Sequence, residues 1–222
     1  MKYPGFFIAF EGCDGSGKTT QVNRLGINLI LAGITPANVF EPGCSQIGTK
    51  IRALFKDPTN KMCMKTELFL LLASRAQLVT ETIIPYLKDG RVVIADRFFD
   101  STMVYQGLVG GLRPSDVSLA NSICTEDEEG NPLIPDLTIF IDVTFNVAMA
   151  RMKVRNEAKD RIEARGEDYL STVHAAYRQQ CCGPYSKEKK RVTVLGDGRE
   201  EDVAKLIKQI VFNELKERAY KI

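Results

Sequence analysis

The sequence predicts an α/β fold with a mainly parallel sheet, and three observations predict it. Short apolar runs recur at long intervals, each with the near-continuous apolar character of a strand covered on both faces. The stretches between them are long enough for crossover helices, and several carry helical periodicity. A glycine-rich loop joins the first such run to the first such helix. With 222 residues, 44% of them hydrophobic, the chain suits one domain with a full core.

Each element has its own signal. "GFFIAFEG" gives the first strand, and Lys18 to Ala32 a helix with Val22, Leu25 and Leu29 on one face and Gly33 as a left-handed stop. "ANVFEP" is a weaker strand before Pro42. From Lys65 to Lys88, "ELFLLLASRAQLVTETIIPYL" predicts a long apolar helix, kinked in its last turns by Pro85 and closed by the "KDG" turn at 88–90. "RVVIADR" at 91–97 and "DLTIFIDV" at 136–143 are buried strands. The acidic, proline-bearing "CTEDEEGNPLIP" at 124–135 is an exposed loop before the second of them. "RVTVLGD" at 191–197 is a further strand. The last helix carries Val203, Leu206, Ile207, Ile210 and Val211 at helical spacing, as expected of a helix lying on the sheet.

Thirty basic against twenty-eight acidic residues leave a net charge of +2, which excludes the basic excess of a nucleic-acid groove and points to small, locally held phosphate partners. No apolar run is read as reaching the ~20 residues that span a bilayer, and "MKYPGFF" lacks signal-peptide architecture, so a cytoplasmic protein without membrane partners is expected. Six cysteines, Cys13, Cys44, Cys63, Cys124, Cys181 and Cys182, form no CxxC pair, and the one histidine, His174, offers no metal-ligand spacing. They read as reduced structural thiols.

The chemistry is concentrated in Gly12, Cys13, Asp14, Gly15, Ser16, Gly17, Lys18 and Thr19, which match GxxxxGK[ST] and run into Thr20. Such a loop wraps backbone N–H groups around an anion at a helix N-terminus, with Lys18 on the outer phosphates of ATP and Thr19 on Mg²⁺. This is a P-loop NTPase signature, and Asp14 in its middle is out of place beside phosphate. A guanine-nucleotide switch would need NKxD, and "NKMC" at 60–63 lacks the aspartate. Asp96 followed by Arg97, an acid and then a base, suits a small-molecule phosphotransferase, Asp96 placing a metal-bound water and Arg97 neutralising phosphoryl charge. A structural surface pair is the alternative. Residues 151–168 carry six basic and five acidic side chains. Arg151 with Arg155, and Arg161 with Arg165, each share a helical face, so the segment is either a lid of four guanidiniums or a solvated helix laced with ion pairs.

With "FEGCDGSGKTTQ", "FEPGCSQIG", "LLLASRAQLV", "ADRFFDSTMVYQG", "PDLTIFIDVT" and "DRIE" in this order, the chain resembles thymidylate kinases, which phosphorylate dTMP with ATP. The resemblance runs from about Phe6 to about Tyr177. It implies a five-stranded parallel sheet flanked by helices, a mobile helical lid at about 151–168, Mg²⁺, and a homodimer, with residues 1–222 as one nucleoside monophosphate kinase domain. It also implies that Glu41 and Pro42 form an EPG turn with a cis-proline at the monophosphate site. By the same resemblance Arg52 holds the acceptor phosphate, Arg75 reads the thymine carbonyl, and Thr102 bonds the base ring nitrogen with Ser101 beside it. Tyr105 crowds the sugar 2′ position or, equally, packs. Asp14 accepts from the 3′-hydroxyl of dTMP. Arg161 is the first choice for bridging the two substrates' phosphates, then Arg155, then Arg151. The chain departs from the family at Phe40, where an arginine is common, at Leu71, where a phenylalanine stacks on thymine, and at Gly15, where some members carry a basic residue. The loop "GDGRE" at 196–200 is the expected location of the adenine contacts. A kinase for another deoxynucleoside monophosphate and a nucleotide-dependent switch module are the competing readings.

Overall fold

A computed structural model describes residues 3–155, 158–182 and 190–220. Five parallel strands form one sheet: β1 (Phe6–Glu11), β2 (Ala37–Phe40), β3 (Val92–Asp96), β4 (Leu137–Asp142) and β5 (Arg191–Leu195), in the order β2-β3-β1-β4-β5. β1 lies between β3 and β4, with Phe10 opposite both Asp96 and Ile139. The carboxyl ends of β1 and β3 therefore emerge side by side, the position from which open parallel sheets present loops to ligands.

Alternation along β1 sorts the core. Phe6, Ile8 and Phe10 join one apolar cluster with helices α1 (Lys18–Leu31), α8 (Glu167–Cys182) and α9 (Glu200–Glu217). Phe7 and Ala9 join the opposite cluster, where Leu78, Val79, Ile83 and Leu87 pack. The edge strands depart from the expectation of cover on both faces. β2 buries only Ala37 and Val39, and within β5 only Val194 is buried, because an edge strand keeps one side open to solvent.

The helix stops follow local chemistry. α1 ends on Gly33 at φ 82°, and the Ile34 N–H closes onto the Leu29 carbonyl at 2.9 Å, as predicted. α2 (Gln46–Lys56) starts where the Ser45 side chain accepts from the Gly48 N–H at 2.8 Å. The long helix is α3 (Met64–Leu78), a π-type turn at Val79–Ile83, and α4 (Ile84–Lys88). Pro85 supplies no N–H and crowds the carbonyl four residues back, so the expected kink is a widened turn in which the Ile84 N–H reaches the Val79 carbonyl. A second widened turn, Met103–Leu108, continues α5 (Phe99–Thr102) and precedes α6 (Pro114–Thr125). α7 (Phe145–Arg155) leaves the end of β4.

Three expectations are corrected. The run Met64–Lys88 is, by length and composition, long and apolar enough to cross a bilayer; here its apolarity is explained by packing, with Glu67 and Arg75 buried in it and Leu78, Ile83 and Leu87 filling the core. In α9, Leu206 is exposed, and the buried face is Val203, Ala204, Ile207, Val211 and Leu215, turned toward α1 and β5. The 151–168 segment is no single helix: Arg151 to Arg155 end α7, Asn156 and Glu157 lie outside the described residues, and Glu163–Arg165 is one 3₁₀ turn before α8.

Candidate active site

The loop Gly12–Thr19 connects β1 to α1 below one open cavity of about 360 Å³. Lys18 is buried, and its Nζ donates to the Cys13 carbonyl at 2.8 Å and to Ser16 Oγ at 3.5 Å. Burial, and then the Arg97 charge, pull its ammonium below the usual lysine range, against Asp14 and Asp96. Thr19 and Thr20 are exposed at the loop's end, and the Thr19 hydroxyl donates to the Asp96 carboxylate. Cys13 is buried, and burial pushes its thiol up, which leaves it a poor nucleophile. Gly15 lies at φ 79°, and a Cβ there would stand 2.3 Å from the Ala148 carbonyl oxygen. α7 thus occupies the space in which a larger residue would sit.

Asp14 has found partners within the chain. Arg97 Nη2 lies 2.5 Å from one of its oxygens, and the Tyr105 hydroxyl donates to the other at 2.9 Å. Burial alone would raise this carboxyl, but the Arg97 and Lys18 charges and the Tyr105 hydroxyl hold it at about 2. Arg97 also donates Nη1 to the Gly12 carbonyl (3.1 Å), Ser101 Oγ (3.0 Å) and the Tyr177 hydroxyl (2.6 Å), and its backbone sits at φ 76°. Burial works against this cation, yet Tyr177, Asp14, Tyr105 and Glu11 outweigh it and raise its affinity for the proton.

Phe40, Glu41, Pro42, Arg52, Phe55, Leu71, Arg75, Phe98, Thr102 and Gln106 also line the cavity. The Glu41–Pro42 peptide is cis. Arg52 donates Nη1 to the Pro42 carbonyl at 2.9 Å and stacks 5.0 Å over the Phe40 ring, so the phenylalanine that replaces a family arginine steadies the remaining one. Burial lowers the Arg52 pKa from its ordinary value. Arg75 is only 2% exposed and already holds Glu41 at 2.6 Å, the Asn121 side chain and the Phe98 carbonyl at 3.1 Å. The base contact expected of it falls to the second N–H of Nη1, whose first donates to Asn121. Leu71 is buried in the wall, while Phe69 points outward, as its helical spacing requires. Thr102 Oγ1, Gln106 Oε1 and Glu41 Oε1 are buried and without a hydrogen-bond partner, although all three residues line the cavity. Gln106 is a residue the sequence reading missed; "YQG" beside Tyr105 was its only signal.

The arginines of the 151–168 segment divide into separate roles. Arg155 lines the cavity and pairs with Glu163 at 2.5 Å. Arg151 Nη1 and Nη2 clip the Ser16 carbonyl (3.2 Å) to the Gly196 carbonyl (2.8 Å), joining the phosphate loop to the 196–200 loop. Arg161, the first choice for the phosphates, does not line the cavity here. It is buried against α2 and α3, with Nε on the Phe55 carbonyl at 2.8 Å and Nη1 on Glu67 at 2.6 Å, and Arg165 pairs with the same carboxylate. A guanidinium beside the buried, otherwise uncompensated Glu67 is held there more strongly than a solvated one would be.

A divalent cation fits the donor set at the loop. Thr19 and Asp96 bring a hydroxyl and a carboxylate oxygen together, and a hard cation of the magnesium kind takes few protein ligands when phosphates supply the rest. Among the described residues there is no cluster of three or more His, Cys, Asp or Glu that would form an all-protein cage.

The sequence model of the family described as Thymidylate kinase matches residues 10–207. The thymidylate kinase of Fervidobacterium nodosum is 42% identical over 209 residues, covering 93% of this chain and 98% of its own. That of Thermosipho africanus is 43% identical over 171 residues, 77% and 82% of the two chains. That of Pelobacter propionicus is 36% identical over 218 residues, 95% and 96% of the two chains.

Proposed function

The chain belongs to the thymidylate kinase family, and from that premise we infer that its open cavity takes dTMP as acceptor while the phosphate loop holds ATP. The protein is a P-loop kinase that transfers the terminal phosphoryl group of ATP to dTMP, giving dTDP and ADP for dTTP synthesis. The observation that carries the acceptor reading is the pairing of opposite chemistries along one cavity. Lys18, Arg97 and Arg52 bring cations to it, and Leu71 with the unpartnered Thr102 and Gln106 oxygens brings an apolar surface and acceptors. Those oxygens suit a ring N–H, and Leu71 gives the base an aliphatic wall.

In the reaction an oxygen of the acceptor monophosphate attacks the terminal phosphorus of ATP, and the bond to the bridging oxygen breaks so that ADP leaves. The acceptor is already ionised at neutral pH, so no general base is needed. Alignment and charge neutralisation do the rest. Arg52 orients the acceptor, Lys18 and Arg97 face the transferring group, and Arg155, the segment's cavity-lining arginine, takes the bridging role first expected of Arg161. Asp14 trades its hold on Arg97 for the sugar hydroxyl, with Tyr105 beside it. Mg²⁺, held by Thr19 and Asp96 with the ATP phosphates, supplies further neutralising charge when bound.

We read residues 1–222 as one kinase domain and the enzyme as a cytoplasmic homodimer acting on nucleotides rather than on nucleic acid or at a membrane. Leu54 of α2, Phe69 of α3, and Leu119 and Ile123 of α6 are exposed apolar side chains on helices that pack on one another, which supports a subunit contact there. The test of the acceptor reading is the steady-state rate with ATP across dTMP, dUMP, dGMP and dCMP. We expect dTMP to lead; its absence from the best acceptors would remove the assignment in favour of another deoxynucleoside monophosphate.

A further inference from the structure

Glu67, in the first turn of α3, has no place in the mechanism above, yet it is wholly buried behind the cavity wall. One carboxylate oxygen receives Arg161 Nη1 at 2.6 Å and Arg165 Nη2, both from the segment that closes one side of the cavity. The other receives Gln106 Nε2 at 3.3 Å. Gln106 lines the cavity with its Oε1 unpartnered. On the segment's side, docking is completed by the Arg161 N–H on the Lys56 carbonyl at 3.0 Å, the Arg161 guanidinium 4.8 Å over Phe55, and Lys56 to Asp160 at 3.1 Å. Arg155, Asp160, Ile162 and Glu163 then form part of the cavity wall. A single buried carboxylate therefore ties this wall to an amide that lines the same cavity.

We propose that Glu67 is a positioning residue that couples occupancy of the acceptor cavity at Gln106 to docking of residues 158–166 beside the phosphates. This rests on the reading that the cavity holds dTMP. A ring N–H that donates to Gln106 Oε1 fixes the amide, whose Nε2 then fixes the carboxylate facing Arg161 and Arg165. In a dry interior such chains reinforce one another link by link. Coupling of this kind is reciprocal: acceptor binding favours docking, and docking tightens acceptor binding by the same factor.

Two measurements test it on the intact chain. Hydrogen exchange within 158–166 should slow about tenfold or more when the parent is saturated with dTMP, and this protection should vanish in Glu67→Gln, which keeps the side chain's shape but loses its charge. A merely structural role would leave the dTMP-dependent part of the protection unchanged, and that result overturns the proposal. The second measurement is a double-mutant cycle on kcat/KM for dTMP with Gln106→Ala and Arg165→Ala, which touch Glu67 from its two sides; it decides the matter alone if Glu67→Gln does not fold. Breaking one relay twice should cost little more than breaking it once, so the double variant should match the worse single variant. Losses that multiply would mean independent residues and would overturn the relay alone. A parent that ignores dTMP altogether overturns the acceptor reading and the relay with it.

Discussion

Replacing Glu11 by glutamine should remove a large pH dependence from the stability of this protein. Glu11 ends β1 fully buried beneath Arg97. It accepts from the N–H groups of Phe98 (2.8 Å) and Ser101 (3.2 Å), the Ser101 hydroxyl (2.7 Å) and the Tyr177 hydroxyl (3.4 Å). Burial first, and then the Asp100 charge, raise its carboxyl from 4.5 to about 7, against Arg97 and these donors. The folded state thus holds this proton more tightly than the unfolded chain does. The associated stability is fully present below pH 4.5 and is lost as pH rises through about 7. At 1.36 kcal/mol per unit the shift amounts to about 3 kcal/mol. Glutamine keeps an acceptor for the two N–H groups and cannot titrate. Urea unfolding of parent and variant across this range, taken as a difference so that other groups cancel, should therefore show the parent losing about 3 kcal/mol relative to the variant. A difference that stays flat to within ~0.5 kcal/mol would refute the reasoning.

Three further outcomes are expected. Asp14→Asn should raise the KM for dTMP about 10- to 100-fold, the loss of one charge-assisted bond, while ATP binding changes little; equal shifts for both substrates in steady-state kinetics would contradict the assignment. Arg155→Ala should lower kcat about 10³-fold with little change in dTMP affinity, whereas Arg161→Ala should lower stability and weaken dTMP use through Glu67 with a smaller effect on kcat; kinetics and thermal melts that exchange these two effects would reverse the roles. Phe69→Glu should give a monomer by light scattering, and an unchanged particle mass would move the subunit contact elsewhere.

The parts of the site that are contiguous in sequence were the legible ones. The phosphate loop needs glycines, a lysine and a threonine at fixed spacing, and Gly33 acts within a turn of its own residue. Long-range pairing is what sequence concealed. Asp14 and Arg97 are 83 residues apart and meet because β1 and β3 are neighbours. Tyr177 reaches Arg97 from α8, and Glu67 reads as a lone acid in "ELFLLL" until Arg161 arrives from 94 residues away. The charge pattern of residues 151–168 was compatible with a lid of arginines and with ion-paired solvation. It could not reveal that a buried acid elsewhere would claim two of the four guanidiniums. Phe40 was legible as a missing charge, but its stacking under Arg52 is a contact between strand end and helix that local sequence does not show.

The left-handed backbone of Arg97 ties fold and candidate site together at one residue. A side-chain-bearing residue at φ 76° holds a conformation that glycine adopts freely, at a cost on the order of 1–3 kcal/mol. Here the side chain offsets that cost through Gly12, Asp14, Ser101 and Tyr177. Directed evolution for heat tolerance alone would therefore gain nothing from glycine at position 97, which relaxes the backbone but strips buried Asp14 of its cation. Thermostabilising libraries of this enzyme should hold that codon fixed.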